Sequence, residues 1–146
     1  MEDANIVMNL DLQKRVCSDA RELCHTQATV FGLCQDELKC DAFDFVNEFM
    51  HGKIAEDMDK DVSAYYEVDP FNMLKSLPTS MSLQPLMDEK SAEALHWIGY
   101  LYRYWALLGT PSKDIIQIVP VYQAYAAYPG LHTVDIRRAI RIFIQG

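Results

Sequence analysis

Three side chains that could bind an anion share one predicted helix in the middle of the 146-residue chain. His96, Tyr100 and Arg103 follow one another at spacings of four and three, which places them on one face of an α-helix. A histidine and an arginine on a mostly buried helix can hold a phosphate or a carboxylate. The other interpretation is structural, with Arg103 paired to one of the many acids of the first half of the chain. The sequence favours the structural interpretation and leaves a small-ligand site as the alternative.

No other stretch has the spacing of a catalytic or metal-binding motif. The sequence contains neither glycine-rich phosphate-binding loop, nor the His-Glu-x-x-His zinc motif, nor the Gly-x-Ser-x-Gly nucleophile motif. The four cysteines are Cys17, Cys24, Cys34 and Cys40, and no two of them form a Cys-x-x-Cys pair. We therefore predict no catalytic residue, no metal site and no cofactor, and we expect Cys17 and Cys24 to be buried as small hydrophobic residues.

The helix that carries His96, Tyr100 and Arg103 is predicted to span about residues 91–108 and to lie at the centre of the fold. Two neighbouring apolar stripes run along it, formed by Leu95, Ile98, Tyr102 and Trp105, and by Trp97, Leu101, Tyr104 and Leu108. A helix that is apolar over so much of its surface is typical of the buried central helix of a bundle. Gly99 lies inside it, where glycine costs about 1 kcal/mol relative to alanine, so a neighbouring helix is expected to cross closely there.

The chain before this helix predicts shorter helices. Residues 6–24 carry a helical apolar stripe, and residues 25–40 either continue that helix or turn at Gly32. Asp41 is the expected cap of an amphipathic helix that ends at His51, and Asp69 with the following proline is expected to start another.

The chain after the central helix is divided by prolines and glycines. Gly109 is expected to end the central helix, and Thr110 is expected to cap the next one. Pro120 is expected to separate two short helices, and Pro129 with Gly130 is expected to end the second of these helices. Thr133 is expected to cap the last helix of the chain. The sequence therefore predicts an all-α fold, an irregular bundle of six to eight helices in a single domain of residues 1–146.

The formal net charge of −8 is unevenly distributed. Residues 1–93 hold 19 acids and 8 lysines and arginines, whereas residues 94–146 hold 2 acids and 5 lysines and arginines. An acidic first part would repel a phosphate backbone, which argues against broad nucleic-acid binding and suits a basic protein partner. Solubility alone is the other explanation of such a charge.

The start of the chain predicts a cytoplasmic protein. Its first five residues include two acids, and they lack the basic region and apolar core of a signal peptide. No apolar run approaches the ~20 residues that a transmembrane helix needs. Free cysteines would be kept reduced in the cytoplasm.

Residues 56–69 hold six acids and one lysine. They form either a solvated acidic loop or a docking surface in which tyrosines between carboxylates anchor a partner. On the second interpretation the partner-binding residues are Glu56, Asp57, Asp59, Asp61, Tyr65 and Tyr66. Removing the four carboxylates would then slow association and flatten its salt dependence.

Three arginines lie near the C-terminus, at Arg137, Arg138 and Arg141. A basic helix can bind DNA, and a DNA-binding regulator is therefore one alternative function. Three arginines on one short helix are a weak signal, and the overall negative charge opposes it.

Four blocks of sequence carry a resemblance to a known family: residues 45–59, 94–105, 111–116 and 131–135. The most specific part reads Trp-Ile-Gly-Tyr-Leu-Tyr-Arg-Tyr-Trp. Over residues 41 to 140 the chain resembles a family of small bacterial proteins that is associated with short operons encoding ADP-ribosyltransferase-like toxins. The resemblance implies an antitoxin or accessory role, and it transfers no catalytic residue.

The leading hypothesis from the sequence is a non-enzymatic protein-binding module that neutralises a bacterial toxin encoded nearby. The first alternative is an enzyme or small-ligand-binding helical bundle that uses His96, Tyr100 and Arg103. The second alternative is the DNA-binding regulator.

Overall fold

Eight helices form within the part of the chain that the computed structural model describes, namely residues 11, 15–38, 40–60, 65, 68–77 and 91–146. In chain order they are α1 (Ser18–Leu38), α2 (Ala42–His51), α3 (Lys53–Lys60), α4 (Pro70–Lys75), α5 (Ser91–Leu107), α6 (Ser112–Ile118), α7 (Val121–Leu131) and α8 (Ile136–Gln145). These residues contain no strand, which confirms the all-α class. None of the eight helices combines the length and the apolar character that crossing a membrane would require.

Helix α5 is the central helix, as its apolar stripes predicted. Leu95, Ile98, Leu101, Tyr102 and Trp105 are all fully buried, and they belong to a single hydrophobic core that includes residues of every other helix. The Tyr102 hydroxyl donates a 2.6 Å hydrogen bond to the carbonyl oxygen of Val119, which satisfies its polar atom inside the core. The stripe of apolar residues therefore places α5 where the other helices can cover it.

Helices α1 and α5 cross closely and antiparallel, and a glycine makes that crossing possible. A Cβ atom at Gly99 would lie 2.7 Å from the Cα of Ala28 and 2.7 Å from the carbonyl oxygen of Gln27. No side chain fits at that distance, so the prediction that a neighbouring helix explains Gly99 is confirmed. The close approach also lets the Gln27 Nε2 donate to the Gly99 carbonyl oxygen at 3.0 Å.

Several helix boundaries follow the local signals of the sequence. The Asp41 carboxylate accepts hydrogen bonds from two backbone N–H groups of α2, and the Asp69 carboxylate accepts one from the backbone of α4. Gly109 has a φ of 126°, a conformation that favours glycine, and it follows the end of α5. Pro120 lies between α6 and α7.

Helix α1 continues through Gly32 to Leu38 instead of turning there. A Cβ at Gly32 would already lie 3.4 Å from the Ala92 carbonyl oxygen, so this glycine also faces the nearby α5. Packing against α5 outweighs the low helix propensity of glycine.

Cys24 is buried as predicted, whereas the prediction for Cys17 is wrong, because Cys17 precedes α1 and is exposed. Of residues 6–24, positions 6–10 and 12–14 lie outside the described residues.

The sequence predicted that Pro129 and Gly130 would end helix α7, but the helix continues through them to Leu131. A proline removes one backbone donor, and the last turn is still closed by a 3.0 Å hydrogen bond from the His132 N–H to the Tyr128 carbonyl oxygen. The helix therefore presents Tyr128 and positions His132 directly after its end.

Two predicted caps are also wrong. Asp135, not Thr133, caps α8 by accepting from the backbone N–H of Arg137, in line with the stronger capping preference of aspartate. Pro111 precedes α6 without a side-chain cap, and the Thr110 hydroxyl is buried without a hydrogen-bond partner.

Candidate functional site

The structure does not bring Arg103 together with His96 and Tyr100 around one cavity. The guanidinium of Arg103 is completely buried, and it makes three hydrogen bonds inside the protein. Its Nη1 donates to Asp59 Oδ1 at 2.6 Å, its Nε donates to Gln27 Oε1 at 2.9 Å, and its Nη2 donates to Ser112 Oγ at 3.0 Å. The arginine is therefore engaged in holding helices together, as the structural interpretation predicted.

Asp59 balances the buried guanidinium. Besides Arg103, its carboxylate accepts from the Ser112 backbone N–H and from the Ser112 hydroxyl, each at 2.7 Å. Burial lowers the pKa of Arg103, and the negative charge of Asp59 opposes that shift. These bonds connect α1, α3, α5 and α6 through side chains that local sequence patterns do not link.

The acids that the sequence assigned to a docking surface are matched by cations or lie in the interior. Glu56 forms a 3.0 Å ion pair with Lys60, and that hydrogen bond lowers the pKa of Glu56. Asp57 forms a 2.8 Å ion pair with Lys53, which lowers its pKa. Asp59 is engaged with Arg103, and its side chain is only 16% exposed.

Of the two tyrosines of that predicted surface, Tyr65 belongs to the part of the chain that the structure describes. The Tyr65 hydroxyl donates to Asp57 Oδ2 at 3.2 Å, and partial burial followed by this hydrogen bond raises the pKa of Tyr65. Asp61 and Tyr66 lie outside the described residues. Every acid of α3 therefore has a positively charged partner within the fold, which leaves little unbalanced charge on this helix.

His96 and Tyr100 do line a groove, which we call the aromatic groove. It has a volume of about 590 Å³ and is open to solvent between α1, α5 and the end of α7. Its lining residues are His25, Thr29, Gly32, Leu33, Ala92, Glu93, His96, Trp97, Tyr100, Tyr128 and His132. Most of this surface is aromatic or aliphatic, which is the usual composition of a ligand-binding cleft or of the centre of a protein interface.

Ring contacts fix the walls of the aromatic groove. Trp97 and Tyr128 meet edge to face with their ring centroids 5.8 Å apart, and His132 stacks on Tyr128 at 4.5 Å. On the other wall, His25 meets Tyr100 edge to face at 5.1 Å. These ring contacts connect side chains of α1, α5 and α7, so the rings are held in place before any ligand binds.

Among the residues that the structure describes, Glu93 is the one carboxylate in the groove lining, and none of these lining residues is a lysine or an arginine. Partial burial, and then the nearby His25, lower the pKa of His96, which favours the neutral imidazole. Burial also raises the pKa of Tyr100. The described lining is thus mainly aromatic and includes one carboxyl group.

The described residues do not place three or more histidine, cysteine or acidic side chains where they could share a metal ion. All four cysteines are free thiols, and three of them are buried. Burial raises the pKa of Cys24 to about 12, which keeps this thiol protonated.

The three C-terminal arginines are not equivalent. Arg137 donates from Nε to the Tyr104 hydroxyl at 3.0 Å, and its guanidinium carbon lies 5.6 Å from the centre of the Tyr104 ring. Arg138 and Arg141 are exposed on α8. Only two exposed arginines therefore remain on the helix that the DNA-binding alternative would use.

Sequence reasoning missed Glu93, Trp97 and Tyr128 as residues of one surface. A signal for the first two was present, because an acid and a tryptophan four residues apart share a helix face. Nothing in the local sequence linked them to Tyr128, which lies on another helix.

The chain matches no protein-family model, no curated protein and no solved structure.

Proposed function

We propose that the protein is a non-enzymatic binding module that holds a segment of another protein in the aromatic groove. The observation that carries this proposal is the aromatic groove itself, an open groove of about 590 Å³ in which Trp97, Tyr100 and Tyr128 are partly exposed. Trp97 and Tyr128 restrain each other, and His25 restrains Tyr100. Tryptophan and tyrosine are the side chains most enriched at the energetic centres of protein interfaces. An open groove suits an extended segment of a partner, because an enclosed pocket is what buries most of a small molecule.

The proposal moves the docking surface away from the acids of α3. Those acids are paired with Lys53, Lys60 and Arg103, so they offer a partner little net charge. Exposed ion pairs of this kind contribute little to affinity. The partly exposed rings of the aromatic groove, in contrast, have apolar area that a partner could remove from water.

The resemblance of residues 41 to 140 supports a more specific form of the proposal. In that form the partner is an ADP-ribosyltransferase-like toxin encoded beside this protein, and binding in the cytoplasm neutralises it. A negatively charged neutralising protein would be drawn to a basic surface of its target.

The test is an affinity capture from the native bacterium with three baits: the wild type, Tyr128→Ala and Tyr122→Ala. Tyr122 is a matched control, because it lies on α7 like Tyr128 but is 64% exposed and outside the groove. We expect one stoichiometric partner on the wild type and on Tyr122→Ala, and its loss on Tyr128→Ala. Equal capture by both variants would show that the aromatic groove is not the docking surface.

The antitoxin form has its own readout. Expression of the captured partner alone should arrest growth of a host strain, and co-expression of the wild type should restore it. Co-expression of Tyr128→Ala should restore it less well than co-expression of Tyr122→Ala. A partner that leaves growth unaffected when expressed alone would contradict the antitoxin role and leave the binding module standing.

A further inference from the structure

Two aromatic rings form a corner at one end of the aromatic groove. Trp97 on α5 and Tyr128 on α7 meet at an interplanar angle of 68° with their centroids 5.8 Å apart. The faces of aromatic rings carry negative electrostatic potential, and a cation within about 6 Å of a ring centre is attracted to it. Tryptophan is the strongest of the aromatic side chains in this respect.

A carboxylate adds a full negative charge beside this corner. Glu93 lies one helical turn before Trp97 on α5, and both line the groove. Its carboxylate is close to the Tyr128 hydroxyl, and after partial burial it is the next cause of the raised pKa of Tyr128. Since Glu93 is the one full charge that the side chains of the described lining add without a lysine or arginine beside it, and the whole chain carries a charge of −8, the potential in the groove favours a positively charged group.

His132 lies at the same end of the groove. Its ring stacks on Tyr128, and its Nδ1 lies 2.8 Å from the Tyr128 carbonyl oxygen. A carbonyl oxygen can only accept, so Nδ1 carries the hydrogen of this bond. This hydrogen bond and the stacking hold the His132 ring beside Tyr128.

We propose that this corner binds an arginine side chain, with the guanidinium against the rings of Trp97 and Tyr128 and charge-paired with Glu93. Arginine fits better than lysine because the guanidinium is planar, stacks on aromatic faces and is less strongly hydrated than an ammonium group. The inference rests on the proposed function in one respect, namely that the arginine belongs to a partner protein. The site itself can be tested without any partner.

The test uses Nα-acetyl-arginine amide as the probe and records the two tryptophan indole N–H signals by NMR. Trp105 is fully buried and serves as an internal reference, and a Trp97→Phe variant assigns the signals. Nα-acetyl-citrulline amide, which has the same shape without the charge, is the matched control ligand at equal ionic strength. We expect a saturable shift of the Trp97 signal with the arginine probe and a much weaker response with the citrulline probe. Equal responses to both probes, or no response to either, would overturn the proposal.

Glu93→Gln tests the role of the carboxylate, and Glu48→Gln is its control, since Glu48 is exposed on α2 and the change in net charge is the same. We expect Glu93→Gln to weaken binding of the arginine probe about fivefold or more and Glu48→Gln to leave it unchanged. An equal effect of the two variants would mean that only the overall charge matters, which contradicts the proposed corner.

The same probes separate this inference from the proposed function. If the captured partner is lost with Tyr128→Ala but its capture by the wild type is not weakened by arginine probe at a concentration that saturates the Trp97 shift, the groove binds the partner through another side chain and the proposal of a partner arginine fails. If the probe binds with the expected dependence on Glu93 but no partner is captured, the arginine site stands and the protein-binding function fails.

Discussion

Arg103 and Asp59 form an ion pair inside the protein, with Arg103 Nη1 lying 2.6 Å from Asp59 Oδ1 and no part of the arginine side chain exposed. The two residues are 44 positions apart in sequence, and their contact joins α3 to α5. Gln27 and Ser112 complete the hydrogen bonding of the guanidinium and connect α1 and α6 to the same pair. A charge that is buried in this way needs its partners, because it cannot be solvated by water.

Removal of Asp59 is therefore expected to destabilise the fold strongly. Asp59→Ala should lower the free energy of unfolding by about 3–5 kcal/mol, since it leaves the Arg103 guanidinium buried without its counter-charge. Urea unfolding followed by circular dichroism would measure the change. Glu56→Gln on the same helix is the control, and its exposed pair with Lys60 should contribute little. Similar losses in both variants would contradict a special role for the buried pair.

The glycine at the α1–α5 crossing is expected to tolerate no side chain. Gly99→Ala should lower the free energy of unfolding by about 1–3 kcal/mol, because the new Cβ would meet the backbone of Ala28 and Gln27 at 2.7 Å. Gly130→Ala is the control, since a Cβ there has no neighbour within 4 Å and alanine is the better helix former. Thermal unfolding should therefore show a lower midpoint for Gly99→Ala and an equal or higher one for Gly130→Ala.

The lowered pKa of His96 gives stability a dependence on pH. The unfolded chain takes up a proton at this histidine near its ordinary pKa of 6.5, whereas folded His96 takes it up only at lower pH. The stability that the neutral His96 side chain contributes is therefore fully present above pH 6.5. It is lost as the pH falls through the lower pKa that His96 has in the folded protein. The groups that face this ring are His25 and, one helical turn away, Glu93.

Comparison of the wild type with His96→Gln isolates this contribution from those of the other ionisable groups. Urea unfolding at a series of pH values below 7 should show that the wild type loses more stability than the variant, by less than about 1 kcal/mol because the imidazole is partly exposed. A wild type that gains stability relative to the variant on acidification would contradict the sign of the shift.

The kinetics of partner binding should depend on Glu93 and not on the paired acids of α3. Neutralising Glu56 and Asp57 together should leave the association rate and its salt dependence close to those of the wild type, because Lys60 and Lys53 already balance these acids. Glu93→Gln should slow association and flatten its salt dependence. Surface plasmon resonance with the captured partner at several salt concentrations would measure both. The reverse result would place the interface on α3, as the sequence alone suggested.

The cysteines should differ sharply in reactivity. Cys17 is exposed, whereas Cys24, Cys34 and Cys40 are buried, so a thiol reagent such as dithionitrobenzoate should modify one thiol quickly in the native protein. The other three should react only after the chain unfolds. Replacement of Cys17 by serine should remove the fast phase. A fast phase that persists in that variant would contradict the burial of the remaining thiols.

The sequence was a sufficient guide to several features that residue patterns within one helix or at its ends indicate. The apolar stripes of α5 predicted a buried central helix, the Asp41 and Asp69 carboxylates cap the helices that follow them, and Gly109 follows the end of α5. These features depend on contacts within one or two helical turns, so a linear reading contains the information needed.

Local signals failed where a longer-range or competing contact was stronger. The spacing of His96, Tyr100 and Arg103 placed all three on one helix face, but α1, α3 and α6 enclose Arg103 and leave the other two at the groove. Pro129 was expected to end its helix, yet the last turn of α7 closes beyond it.

The aromatic groove exists only because helices that are distant in sequence meet. Gly99 lets α1 and α5 approach, and α7 then sets Tyr128 against Trp97. Which face of one helix meets which face of another depends on the packing of the whole core, and the chain order of the residues does not specify it. The same reason explains Asp59, which is one of six acids in residues 56–69. Only the tertiary structure shows that its carboxylate balances the buried guanidinium of Arg103.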